Sequence, residues 1–155
     1  MTTVIRGSDN FDTSPSQRSM IQVRYGNGFG STNTSVRRWS IGVRVLGTDI
    51  YSTDSATLGG SFTIVNDGVY AISYSDQFNT AGGVVISNTN TNLAGLAAYT
   101  DILAIQTSGG ANQAATASWT GFLQAGTVIR ARSYGAVPVA GTTNAAEQFT
   151  IVRVG

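Results

Sequence analysis

The chain has 155 residues and a net charge of +1, and only 11% of its residues are charged against 41% that are hydrophobic. This length fits one domain with a core of its own. A monomer is kept soluble largely by charge, so the low charged fraction predicts a surface that is partly covered by other subunits.

The sequence contains no His, no Cys and no Lys, and Glu147 is its only Glu. These absences exclude a thiolate metal site, a disulfide framework and the usual triads built on His or Lys, so we expect neither enzymatic activity nor a metal or cofactor. The small net charge argues against nucleic-acid binding, and the lack of a long apolar run argues against a membrane span.

The first segment, residues 1–19, is polar and lacks strand alternation over most of its length, which predicts an N-terminal arm. Val4, Ile5 and Phe11 are apolar residues that a purely solvated tail would not need. We therefore expect these three residues to attach the arm to a larger particle, while residues 20–155 form the folded domain.

From Met20 onward, short runs with alternating apolar residues are separated by clusters of Gly, Asn, Asp and Ser, which is typical of a β-sandwich or barrel. No segment has a helical period over three turns. In chain order, the predicted strands are residues 20–25, 37–46, 61–65, 68–75, 82–88, 99–106, 115–124, 127–134 and 147–154, and residues 26–35 are predicted to form a loop.

The period-2 pattern also assigns faces. Trp39 lies on the apolar face of its predicted strand and is expected in the core, whereas Arg37 and Arg38 point in opposite directions. Arg130 and Arg132 share one face of a later strand. Solvation at the surface is the default expectation for these arginines, and the alternative is use in an interface, for which Arg is preferred.

One segment and one set of acidic residues superficially suggest ligand sites. The spacing Gly26-Asn27-Gly28-Phe29-Gly30 is similar to a phosphate loop, but no helix pattern follows it, so a flexible loop is favoured. Calcium needs several converging oxygen ligands, and isolated Asp residues beside Gly or Ser are more often turn residues. We therefore expect turn chemistry, with calcium as the alternative, from Asp49, Asp54, Asp67 and Asp76.

Three segments, in order, resemble the complement-type globular head and tumour necrosis factor superfamily. They are GGSFTIVNDGVYAISYSDQF at residues 59–78, ATASWTGFLQAGTVIRARSYG at residues 115–135, and EQFTIVRVG at residues 147–155. Thr127 stands where the family often has Asp, and the residues after Phe149 match less closely. The resemblance implies an all-β, ten-strand jelly-roll sandwich that forms a homotrimer, with Tyr70, Tyr74 and Phe149 in the trimer interface or the core.

The opening MTTVIRGSDNFDT resembles the starts of bacteriophage tail-fibre and other virion proteins. The expected function is therefore a non-enzymatic structural one on the outer surface of a phage particle. The protein would be a trimeric capsid decoration (cement) protein or a short head fibre, with the major capsid protein or another virion protein as partner. The alternative is a tail-fibre tip module that binds a receptor or a host surface glycan through the loops at residues 26–35 and 87–96.

Overall fold

A computed structural model describes residues 19–32, 34–88, 101–134 and 146–155 of the chain. These residues form two five-stranded antiparallel sheets without an α-helix, with strand orders β2-β1-β10-β5-β8 and β3-β4-β9-β6-β7. The strands are β1 (Met20–Phe29), β2 (Arg37–Leu46), β3 (Ile50–Ser55), β4 (Gly59–Ile64), β5 (Gly68–Phe78), β6 (Gly83–Ser87), β7 (Ile102–Thr107), β8 (Gln113–Leu123), β9 (Val128–Tyr134) and β10 (Gln148–Arg153).

The two packed sheets confirm the predicted all-β jelly-roll sandwich. Among the described residues, no helix has the length and apolar character needed to cross a membrane. Each of the nine predicted strands overlaps an observed strand in the expected order.

One predicted boundary was wrong, and one strand was missed. Strand β1 continues to Phe29, so the predicted loop begins later than residue 26. The continuation is irregular, because Tyr25 and Gly28 have positive φ angles of 59° and 74° and the pairing with β2 shifts register between Gly26 and Phe29. Strand β3 was not predicted at all, since only Ile50 of its residues is an apolar side chain buried in the core.

The core lies between the sheets and is centred on aromatic rings. Phe62 of β4 stacks on Phe149 of β10 at 4.6 Å between ring centroids, and Trp39 meets Tyr74 edge to face at 6.0 Å. The alternation in β5 places Tyr70, Ile72 and Tyr74 inward. Burial of such large side chains stabilises the fold by roughly 1.5–3 kcal/mol each.

Candidate self-association face

One broad surface of the molecule is the outward side of the sheet β2-β1-β10-β5-β8. Along β1, β5, β8 and β10, residues that point to this side alternate with residues that are buried in the core. The strand pairing aligns them in rows across the sheet: Leu46, Met20, Val152, Ala71 and Thr120; Arg44, Gln22, Thr150, Ser73 and Ser118; Arg24, Gln148, Ser75 and Thr116; and Val69 with Phe122.

We call this surface the outward face. The central strand β10 and the two strands beyond it, β5 and β8, contribute no charged side chain to this face. The charged residues in these rows, Arg24 and Arg44, lie on β1 and β2 at the other side of the sheet. On β5 and β8 most of its side chains are short, being Ala, Ser, Thr and Val. At the end nearest the C-terminus it is apolar, and Phe122 and Val154 are 60% and 58% exposed. The part of the outward face on β10, β5 and β8 can therefore be covered without desolvating an ion.

The residues predicted for the trimer interface or the core are not on this face. Tyr70, Tyr74 and Phe149 have no exposed surface and point into the space between the sheets. Trp39 lies in the core, as its strand pattern predicted. The residues predicted to attach the arm, Val4, Ile5 and Phe11, lie outside the described residues.

Arg130 and Arg132 are only 3% exposed each, so the expectation of surface solvation was wrong for both. Arg130 donates from Nη1 to the carbonyl oxygens of Leu58 and Gly60 at 3.2 and 3.3 Å, and Arg132 donates from Nε to the Ser87 hydroxyl at 2.8 Å. Burial, together with the neighbouring charge of Arg130, lowers the pKa of Arg132 to about 10. The strand pattern correctly placed Arg130 and Arg132 on the same side of β9, but it could not predict which chain segments cover that side.

Arg37 is also fully buried, in an ionic cluster at the end of the sandwich where β2 begins. Its Nε lies 2.8 Å from Oδ2 of Asp76, and its Nη2 lies 3.2 Å from Oε1 of Glu147. Glu147 also accepts the N–H of Gly26 at 2.7 Å, and the Tyr74 hydroxyl donates to Asp76 at 2.9 Å. We call these residues the upper cluster.

The electrostatics of the upper cluster are those of a closed structural site. Burial raises the pKa of the Tyr74 hydroxyl well above its ordinary value and also raises the pKa of Glu147. Burial alone would lower the pKa of Arg37, but the facing groups, led by Asp76, raise it above its ordinary value. The side chains of Arg37, Asp76 and Glu147 have no exposed surface, so a substrate cannot reach them.

One residue in the sequence, Gly26, could have indicated the upper cluster, although alternation along the strands does not use it. A Cβ atom at Gly26 would lie 2.4 Å from Nη2 of Arg37, so the buried guanidinium requires a glycine on β1. The Gly-rich segment at residues 26–30 therefore serves close packing and strand irregularity. Its similarity to a phosphate loop has no structural counterpart, since Gly26 to Phe29 belong to a strand.

A second ionic cluster lies at the opposite end of the sandwich, and we call it the lower cluster. Asp49 accepts from the Ser19 hydroxyl at 2.9 Å, from Nη1 of Arg153 at 3.0 Å and from the amide of Asn66. Burial opposes the charge on Asp49, but these three donors lower the pKa of its carboxyl below the ordinary value. The cluster ties Ser19, the last residue of the predicted arm, to the end of β10.

The acidic residues considered for calcium are spread over the molecule. Asp54 pairs with Arg38 at 2.9 Å on the surface, and Asp67 accepts the N–H of Ala125 at 2.6 Å between two turns. Asp49 and Asp76 belong to opposite ends of the sandwich. Within the described ranges, no three acidic side chains come together as metal ligands.

No protein-family model matches the chain, and no curated protein matches it. Solved structures do match it. A crystal structure of murine APRIL at pH 8.0 superimposes with a TM-score of 0.64 at 12% identity, over 88% of this chain and 99% of the other. The structure of murine APRIL at pH 5.0 gives 0.61 at 14% identity, with the same coverage. The chain therefore has the jelly-roll fold of the tumour necrosis factor type.

Proposed function

We propose that the protein is a non-enzymatic, trimeric component of the outer surface of a bacteriophage particle, either a capsid decoration protein or a short head fibre. The observation that carries the proposal is the outward face, a broad sheet surface whose strands β10, β5 and β8 present only uncharged side chains. The resemblance of residues 1–13 to the starts of virion proteins supports the phage assignment.

Assembly through the outward face has a simple energetic basis. Interface cores are depleted of charged residues, and the part of this face on β10, β5 and β8 can be covered without desolvating an ion. Covering Phe122, Val154 and Val69, which are 37–60% exposed, removes apolar area from water. The hydroxyls of Ser73, Ser118 and their neighbours can form hydrogen bonds that set the register between copies. Three copies related by one threefold axis would form a closed assembly.

The buried chemistry supports a structural function. The upper cluster is sealed from solvent, and the lower cluster joins Ser19 to the end of β10. Both clusters hold the ends of strands and leave the surfaces between them available for contacts. On the particle, the arm at residues 1–19 would contact the major capsid protein or another virion protein, and the jelly roll would stand outward.

The assembly is tested by a charge placed at the centre of the outward face. Ser73 pairs with Thr150 on one side and Ser118 on the other, so Ser73→Arg introduces a cation there without touching the core. Wild-type protein should have a mass of about 48 kDa by light scattering, three times the chain mass of 16.1 kDa, and the variant should be a monomer. The matched control is Thr107→Arg, an exposed position on β7 of the other sheet, which should remain trimeric.

The particle assignment is tested separately, with purified protein and phage capsids that lack it. Saturable, stoichiometric binding supports the decoration or head-fibre function. Absence of capsid binding combined with selective binding to one polysaccharide on a glycan array would instead assign the protein as a receptor-binding tip.

A further inference from the structure

The end of strand β1 carries the only Asn-Gly pair in the sequence, Asn27-Gly28. The pairing with β2 is irregular there, because three steps along β1, from Gly26 to Phe29, match two steps along β2. Such a β-bulge leaves an extra residue unpaired and interrupts the hydrogen-bond ladder locally. Asn27 and Gly28 lie inside the bulge, so their backbone is less restrained than that of a regular strand pair.

Exposure, a free side chain and a glycine neighbour together favour reaction of the main chain with the Asn27 amide. Asn27 is exposed, and its side chain forms no hydrogen bond with the part of the chain that the structure describes. Gly28 has no Cβ atom to hinder approach to its own backbone nitrogen. Its φ is +74°, and a Cβ atom there would meet nothing within 4 Å. The space around this dipeptide is thus open enough for a cyclic imide to form between the two residues.

We propose that Asn27 is a site of spontaneous deamidation, with water as the co-reactant. The backbone nitrogen of Gly28 loses its proton to solvent base and forms a bond to Cγ of Asn27, and the side-chain nitrogen leaves as ammonia. Water then opens the cyclic imide. Opening at Cγ gives aspartate, whereas opening at the main-chain carbonyl carbon gives isoaspartate, in which the chain runs through the former side chain. No oxidant or reductant is needed, since the net change is one water consumed and one ammonia released.

The isoaspartate product would act on the upper cluster. It lengthens the main chain by one methylene directly after Gly26, whose N–H is bonded to Oε2 of Glu147 at 2.7 Å. Gly26 also packs closely on the guanidinium of Arg37, since a Cβ there would lie 2.4 Å from Nη2. Displacement of Gly26 therefore disturbs a buried ionic site. The aspartate product leaves the length of the backbone unchanged.

The test is the rate of deamidation in the full-length folded protein, incubated at mildly alkaline pH and followed by peptide mapping. Trypsin releases residues 25–37 as one peptide, because cleavage follows Arg24 and Arg37, and tandem mass spectrometry locates the modified residue. Protein unfolded in guanidinium chloride gives the reference rate for the free chain. We expect Asn27 in the folded protein to react at a rate within about tenfold of that reference, and more slowly at mildly acidic pH.

Asn112 is the internal control. It is exposed and has a positive φ of 59°, but Gln113 follows it, so its deamidation should be at least about tenfold slower than that of Asn27. Folded-state reaction of Asn27 that is more than about tenfold below the unfolded reference, or no faster than that of Asn112, would show that the bulge protects the pair and would overturn the proposal.

The effect on the upper cluster has a separate readout. The isoaspartyl form, isolated by ion exchange, should melt at a lower temperature than the Asn27→Asp variant, which carries the same charge without the added methylene. Equal melting temperatures of the two proteins would contradict the effect on the upper cluster.

Discussion

Adjacent arginines on β2 have opposite environments. Arg37 is buried between Asp76 and Glu147, whereas the side chains of Arg38 and its partner Asp54 are 24% and 31% exposed. An exposed pair is screened by water and contributes little to stability. A buried pair contributes little in net terms, but removal of one partner leaves the other charge buried and uncompensated. Arg37 is therefore indispensable to the carboxylates around it.

We predict that Arg37→Met lowers the free energy of unfolding by roughly 3–5 kcal/mol, because two carboxylates lose their cation in a buried site. Arg38→Met, the matched control, should cost at most about 1 kcal/mol. Urea denaturation of both variants, followed by circular dichroism, measures the difference. Similar losses in the two variants would contradict the assignment of the upper cluster as a stabilising site.

Asp49 gives a pH-dependent prediction. Its pKa is lowered in the folded state, so its stabilising effect is fully present above the unfolded value of about 3.9 and is lost as pH falls through the folded value. Asp49→Asn should therefore be less stable than wild type near neutral pH, and the gap should close on acidification. Melting temperatures between about pH 6 and pH 2 measure this gap.

The comparison with the variant separates the effect of Asp49 from that of Glu147, a buried carboxyl whose pKa is shifted in the other direction. Burial raises the pKa of Glu147, so its contribution has the opposite sign and is lost as pH rises through its folded value. Both proteins retain Glu147, and its effect cancels in the difference. A gap that stays constant down to low pH would show that the carboxylate charge of Asp49 does not stabilise the fold.

At the scale of strands, the alternation of apolar residues correctly predicted which side chains are buried in the core. Tyr70, Ile72 and Tyr74 repeat every second residue, and the structure buries all three. The turn chemistry of Asn66-Asp67-Gly68 correctly separated β4 from β5. Such elements are readable because one face of each strand meets the core and the other does not.

Strand β3 and the burial of the arginines could not be predicted from alternation. Ser52 and Asp54 occupy the inward side of β3, at the edge of the core, so the strand lacks an apolar pattern. Alternation placed Arg130 and Arg132 on one side of β9, but the segments that cover them are distant in sequence. Arg130 bonds to the carbonyl oxygens of Leu58 and Gly60, which are 72 and 70 residues away, and Arg132 bonds to Ser87, which is 45 residues away. Contacts between distant segments leave no local signal in a single sequence.

The turn between β8 and β9 allows a test of backbone conformation alone. Gly126 has a φ of +84°, and a Cβ there would meet nothing within 4 Å. Gly126→Ala should therefore cost about 1–2 kcal/mol of unfolding free energy through its left-handed conformation, with no steric contribution. Gly110→Ala is the control, since Gly110 has ordinary φ and its nearest atom is 4.0 Å away; it should be neutral or slightly stabilising. Chemical denaturation compares the two, and equal effects would contradict the conformational explanation.

At the scale of the whole molecule, the two ionic clusters stabilise the two ends of the sandwich and do not lie on the outward face. The upper cluster closes one end of the sandwich and the lower cluster fixes Ser19 at the other. Arg153 also donates its backbone N–H to the carbonyl oxygen of Ser19 at 2.8 Å, so Ser19, the last residue of the predicted arm, is held firmly on the fold. We therefore predict that residues before Ser19 can be removed without unfolding the sheets.

The last prediction concerns this arm. Deletion of residues 1–17 should leave a folded trimer that no longer binds the particle. Val4, Ile5 and Phe11 are the apolar residues available for attachment, and burial of each is worth roughly 1.5–3 kcal/mol before the cost of ordering the arm. One arm alone would bind weakly. Three arms on one trimer act together, because the first contact raises the effective concentration of the other two.

The measurement is a pull-down of truncated and full-length trimers with particles that lack the protein, alongside melting curves of both. Phe11→Ala is the finer variant and should weaken particle binding far more than it lowers the melting temperature, since Ser19 and the lower cluster remain intact. Equal binding of the truncated trimer would place attachment in the jelly roll. If the truncated chain unfolds, residues 1–17 are part of the fold. The contacts of Ser19 with Asp49 and Arg153 would then not be sufficient to hold that end of the sandwich.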